Sequence, residues 1–108
     1  MSKFYHCVHF WMKPEHQEGA AFEKVLQGIR SLGQSANMES CRVAVPAGTP
    51  RDVVDNSYSA QLLAVFPDAE AHARYQSDDD AVHQAFVANF KHCWTKVLIY
   101  DSIEPASA

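Results

Sequence analysis

Six histidines stand in this chain of 108 residues: His6, His9, His16, His72, His83 and His92. Imidazole titrates nearer neutrality than any other unperturbed side chain, so these residues are the first to weigh for proton transfer. His83 falls in the first turn of a helix that opens just after Asp78-Asp79-Asp80. The positive end of that helix lowers an imidazole pKa and keeps the ring neutral, the form a general base requires. His6 lies in an apolar strand, on the face it shares with Val8 and Phe10. The plainer alternative for both is a ring held by a backbone carbonyl. His9 shares the opposite face with Tyr5 and Trp11 and reads as an interface residue. His16 and His72 lie among polar helical residues and are expected in solvent. His92 and Cys93 are neighbours on a helix, where successive side chains point about 100° apart, so the two are not expected to form one site.

Other chemistries find less support. There is no HxxxH, HExxH or CxxC spacing, and Asp78-Asp79-Asp80 lacks the alternating acids, glycine and closing Glu of a calcium loop. No metal is expected. Without a GxGxxG, a Gly-rich phosphate loop or a GxSxG, no nucleotide cofactor and no serine-hydrolase chemistry is expected either, so the reading carries no cofactor. Cys7, Cys41 and Cys93 are odd in number and widely scattered, which suits reduced thiols in the cytoplasm better than a disulfide framework. Thirteen acids against nine bases give a net charge of −4. That balance argues against nucleic acid and against a polybasic membrane anchor, since both depend on clustered basic side chains. The longest apolar run, Phe4–Met12, is nine residues. It is too short to span a bilayer and has neither the basic flank nor the cleavage site of a signal peptide.

The elements that must position these residues follow from periodicity. Phe4–Met12 reads as a strand, apolar on both faces and ended by Lys13-Pro14. Pro14 and Glu15 open a helix to about Leu32, with Phe22, Val25, Leu26, Ile29 and Leu32 on one stripe and Gly33 as its stop. Gly28 inside it marks close packing on the sheet. Met38–Val45 is a second strand, followed by a long, mobile hairpin loop and a third strand, Tyr58–Phe66. Asp68 caps a short helix, AEAHARYQ. The acidic run interrupts it, and a new helix runs from Ala81 to about Trp94. Thr95–Ser102 is the fourth strand.

The order β-α-β-β-α-β, with its second helix broken, is the ferredoxin-like pattern: an α+β sandwich on a four-stranded antiparallel sheet. Residues 1–104 make one such domain and 105–108 a flexible tail. Helices cover only one sheet face, yet the first strand is apolar on both. The bare face is expected to pair with a second copy, giving a homodimeric α/β barrel.

Four segments are similar to those of one family. Tyr5-His6-Cys7-Val8-His9-Phe10-Trp11-Met12-Lys13-Pro14 resembles the opening strand of the stress-responsive A/B barrel domain proteins. Phe66-Pro67-Asp68-Ala69-Glu70 with Tyr75-Gln76, then His83-Gln84-Ala85-Phe86-Val87, then Val97-Leu98-Ile99-Tyr100-Asp101 resemble their later motifs in order. The resemblance implies a ferredoxin-like chain that dimerises into a barrel. Its members are mixed in activity: bacterial proteins without an assigned reaction, plant stress and antifungal proteins, and a plant polyketide cyclase that works by aldol condensation without a cofactor. The resemblance assigns the base to His83, a supporting hydrogen bond to Tyr75, a first-strand histidine to His6 and an acid that orients the imidazole to Asp101. The family's "Y-Q-x-H-P-x-H" run is replaced here by Tyr75-Gln-Ser-Asp-Asp-Asp-Ala-Val-His83, two residues longer. Two residues are over half a helical turn, so a helical phase carried through would turn Tyr75 away from the cavity that His83 faces.

The leading reading is a protein that binds a small apolar or aromatic carbonyl compound in a cavity between sheet and helices. His6, Phe10, Phe22, Leu26, Phe86, Phe90 and Trp94 line it, and His83 is its acid–base group. The alternatives are a non-enzymatic stress or structural dimer, in which the aromatic residues are only core, and a cofactor-independent oxygenase on the same fold.

Overall fold

The computed structural model describes residues 2–106. β1 (Phe4–Met12) lies inside a four-stranded sheet with β2 (Ser40–Ala44), β3 (Ala60–Phe66) and β4 (Trp94–Ile103), in the order β2-β3-β1-β4. Every neighbouring pair is antiparallel. Because side chains alternate along a strand, β1 turns His6, Val8, Phe10 and Met12 to one face, where all four are buried. Tyr5, Cys7, His9 and Trp11 take the other face and are half-buried. Register sets His6 between Ala64 of β3 and Asp101 of β4. β2 and β3 start later than their apolar patterns suggest. The loop between them is tied down by donation from Trp11 Nε1 to Ser57 Oγ (3.1 Å), from the Met12 N–H to Ser59 Oγ (3.0 Å) and from the Ser59 N–H to the Phe10 carbonyl (2.7 Å).

The helices pack on the His6 face. The stretch after Pro14 is not one helix: Pro14–His16 is a 3-10 turn, and α1 (Gly19–Ser31) begins only after it. Gly19 adopts φ 70°, a left-handed conformation that favours glycine and redirects the chain. Val25, Leu26 and Ile29 of α1, with Leu32 beyond its end, fill the core together with Leu62 and Phe66 of β3. α2 (Ala69–Gln76) is capped as expected, the Ala71 N–H donating to Asp68 Oδ1 at 2.8 Å. α3 (Ala81–Phe90) stops four residues earlier than the apolar pattern suggests, and a 3-10 turn, Lys91–Cys93, leads into β4. Of the expected tail, residues 105 and 106 are exposed coil and the remainder lies outside the described residues.

Gly28 packs against α3 rather than the sheet. A Cβ at this position would come within 2.5 Å of the Phe90 ring. Gly28→Ala gains roughly 1 kcal/mol of helix propensity but meets an overpacking cost of about 1–3 kcal/mol. A net loss of about 1 kcal/mol in urea unfolding is expected. In a Phe90→Ala background the same change should become stabilising, and a loss of equal size there would show that the ring is not the obstacle.

Among the described residues, no helix packs on the other sheet face. Leu63, Leu98 and Tyr100 are exposed on it, beside half-buried Trp11 and Val65. Among the described residues no helix is long and apolar enough to cross a membrane.

Candidate functional site

A cavity of about 160 Å³ opens between β1, β4 and the α2–α3 pair. Val8, Phe10, Phe86, Trp94, Val97 and Ile99 give it apolar walls, and His6, Tyr75 and His83, with the exposed Gln76, supply its polar groups. A cavity near 150 Å³ has room for about one benzene ring.

His6, Tyr75 and His83 are each placed by a different element. His6 is buried on β1, and its Nδ1 lies 2.6 Å from Asp101 Oδ1 across the strand pair. With Nδ1–H donating to the carboxylate, Nε2 is the free ring nitrogen. α2 contributes Tyr75, with His72 three residues before it on the same helix face but outside the cavity lining. The His72 ring stacks on Phe4 at 4.0 Å and lies 4.9 Å from the His6 ring. Its Nε2 is buried with no hydrogen-bond partner among the described residues. Tyr75 is buried with its ring 6.0 Å from His6.

His83 comes from the first turn of α3. Its ring stacks on Tyr75 with centroids 4.2 Å apart and planes at 27°. The expectation that two extra residues turn Tyr75 away is therefore overturned. The helix does not continue through them. Ser77 closes α2 by donating its N–H (3.2 Å) and Oγ–H (2.7 Å) to the Arg74 carbonyl, and Asp80 restarts the chain as α3. A helical phase is lost at such a break, so residue counting across it says nothing about facing.

Asp80 holds this junction. It is buried and accepts from Ser35 Oγ at 2.5 Å, Asn37 Nδ2 at 3.0 Å and the His83 N–H at 3.0 Å. Burial opposes its ionised form, but these three donors outweigh it and hold the carboxyl below the usual carboxylate range. Burial lowers the His83 pKa. The nearby Tyr75 carbonyl and the Asp80 charge offset part of that lowering, and among the described residues its Nδ1 has no well-aligned hydrogen-bond partner. His72 is lowered by burial and then by His6. Burial, then the charge on Asp80, pushes the Tyr75 hydroxyl far above its ordinary value. At neutral pH the cavity thus presents a neutral imidazole at His83 beside a phenol that keeps its proton.

Four expectations need correction. Asp101 orients His6, not His83. His72 is half-buried and packed beside His6, not out in solvent; its spacing from Tyr75 was the signal that could have found it. Phe22, Leu26 and Phe90 do not line this cavity: Leu26 is core, Phe22 packs against the core, and Phe90 lies across Gly28. Metal-type ligands do converge, although no local spacing shows it. One atom each of His6, His72 and Asp101 lie within 4.8 Å of one another, as do one each of His16, His92 and Cys93.

The antiparallel β2-β3-β1-β4 sheet, helices on one face and a histidine-bearing cavity beneath them define a ferredoxin-like α+β protein. Within that class the chain belongs to the stress responsive A/B barrel domain family, whose sequence model matches residues 4–104. A family member with a ferredoxin-like fold from Mesorhizobium loti superposes with a TM-score of 0.75 at 18% identity, over 98% of this chain and 100% of that one. A hydroxynitrile lyase from Passiflora edulis gives a TM-score of 0.77 at 11% identity, over 98% and 96%. A dimeric ferredoxin-like protein of unknown function from Thermobifida fusca gives 0.71 at 13% identity, over 94% and 90%. No curated protein matches the chain in sequence.

Proposed function

We propose that this protein performs cofactor-independent acid–base chemistry on a small, one-ring aromatic or apolar carbonyl compound held in the cavity beneath α3. The observation that carries this reading is the Tyr75–His83 stack at an apolar cavity, a neutral base beside a protonated donor. The base form of His83 takes a proton from the carbon next to the carbonyl. The C–H electron pair becomes the enolate double bond, and the oxygen that gains charge accepts a hydrogen bond from the Tyr75 hydroxyl. Asp101 keeps His6 in one tautomer, with Nε2 free to bind a second polar group of the substrate. The description of the Passiflora relative as a hydroxynitrile lyase supports this fold as a host for small-molecule catalysis.

The direct test is exchange of α-hydrogens for deuterium in one-ring aryl ketones, read by NMR alongside the histidine ring resonances. Exchange above the buffer rate, with shifts at His83 and His6, is the expected result. Two-ring analogues should bind poorly, since the cavity has room for about one ring. Rings that ignore every probe, with no exchange, would leave the non-enzymatic dimer as the better reading.

The open sheet face supports self-association through Leu63, Leu98 and Tyr100, and the Thermobifida relative is described as dimeric. Leu98→Asp should halve the sedimentation mass at micromolar concentration, because a carboxylate at the centre of a packed apolar face is costly to desolvate. An unchanged mass would remove the face-to-face arrangement. Three free cysteines support a reducing, cytoplasmic setting.

A further inference from the structure

Away from the cavity, three metal-ligating side chains meet where the chain leaves β1 and where it enters β4. The Lys13 N–H donates to the Cys93 carbonyl at 2.9 Å, and the His16 N–H donates to the Lys13 carbonyl at 2.9 Å. The first of these bonds fastens the Pro14–His16 turn to the Lys91–Cys93 turn, and the second closes the Pro14–His16 turn on itself. Helical neighbours were expected to diverge, but His92 and Cys93 lie in a 3-10 turn, where His92 Nε2 comes within 3.5 Å of Cys93 Sγ. A ring nitrogen of His16 completes a set of three atoms within 4.8 Å of one another. Beside them is a recess of about 140 Å³, with Lys24 and Phe90 on its walls.

We propose that Cys93, His92 and His16 form a binding site for a thiophilic d10 cation, with Zn2+ as the reference ion, whose fourth position opens into this recess. Zn–S and Zn–N bonds at a tetrahedral angle place S and N about 3.5 Å apart. The Cys93–His92 pair already has that separation. His16 is half-buried, and its ring nitrogen, within 4.8 Å of the other two donor atoms, must close to the same range when the ion binds. Two His and one Cys with a fourth position left over is the donor count of an open zinc site rather than a closed structural one.

The neighbouring charges decide which metals fit. Lys13, Lys24 and Glu15 are the charged groups near the Cys93 thiol. A free thiol is mostly protonated at neutral pH. Its S–H bond breaks as the S–metal bond forms, and one proton passes to the buffer. Two ammonium groups near the site disfavour a cation that gains little from sulfur, so Mg2+ and Ca2+ should not compete.

The experiment is a Co2+ titration of the full chain under a phosphine reductant, followed by displacement with Zn2+. The expected result is one ion per chain with a thiolate-to-cobalt charge-transfer band, quenched by Zn2+ and untouched by excess Mg2+. Cys93→Ser should abolish the band while Cys7 and Cys41 remain. His92 is exposed, so His92→Ala should fold normally and weaken Zn2+ by at least roughly tenfold, since even the hydrogen-bond partners of ligands are worth that much. His72→Ala should leave Co2+ and Zn2+ binding unchanged. No saturable binding, binding without the band, a band that survives Cys93→Ser, or binding lost in His72→Ala would each overturn the proposal.

Discussion

His83→Ala is expected to lower the α-hydrogen exchange rate by about 10²–10⁴-fold, the usual worth of a positioned general base. Stability should fall by only about 1–2 kcal/mol, because the ring is half-buried and its main contact is the stack on Tyr75. The pH profile separates a base from a packing residue. Burial depresses the His83 pKa, so the ring stays neutral below the ordinary value of about 6.5. Wild-type rate should be flat above that pH and decline only as pH falls through the lowered pKa. Tyr75→Phe should keep the shape of this profile and lose about 10²–10³-fold, as when one donor to a developing oxyanion is removed. A wild-type rate still at full value well below the lowered pKa would show that His83 is not the base.

The same depression links acidity to stability. Both His72 and His83 have lowered pKa values in the folded chain. Above about pH 6.5 both states hold these rings neutral and nothing is lost. Below it the unfolded chain takes up protons that the fold resists, and stability declines until pH passes the folded values.

Asp80→Ala carries the largest expected stability effect, a loss of about 2–4 kcal/mol in urea unfolding at pH 7. The substitution removes the cap of α3 and leaves the Ser35 hydroxyl and the Asn37 amide without their buried acceptor. Asp80→Asn keeps an oxygen for the His83 N–H and should cost less, about 1 kcal/mol. The folded pKa of Asp80 lies below its unfolded value of about 3.9. Its contribution is complete above that value and is lost as pH falls through the folded pKa. The gap between wild type and Asp80→Asn should therefore narrow towards pH 3. A loss under 0.5 kcal/mol for Asp80→Ala would mean that solvent replaces all three hydrogen bonds. Because Asp80 also starts the turn that carries His83, the alanine variant should weaken exchange as well.

Much of the scaffold was legible residue by residue. The alternation along Phe4–Met12 separated the two faces of β1, one of which is the buried His6, Val8, Phe10 and Met12 face. The i, i+3, i+4 stripe through Val25, Leu26 and Ile29 identified the buried side of α1. Asp68 and the acidic run ending in Asp80 marked the starts of α2 and α3. These signals are local: period, cap and breaker act over a few residues, so composition and spacing carry them. They also put His6 on the strand face it shares with Val8 and Phe10, the face that lines the cavity.

What local spacing could not carry was every contact that crosses elements. His6 meets Asp101, 95 residues away, only because β4 pairs with β1 in one register, and a slip of one residue would turn the acid to the other face. Tyr75 meets His83 because the chain breaks at Ser77–Asp80 and re-enters at an angle that no helical count describes. His16, His92 and Cys93 converge because a backbone hydrogen bond from Lys13 to Cys93 joins turns far apart in the chain. The sequence by itself determined the faces, the caps and the ferredoxin-like order. The tertiary structure alone decided which histidine receives the carboxylate and which stacks on the phenol, because those choices rest on register and turn angle, properties of packed elements rather than of any short stretch of residues.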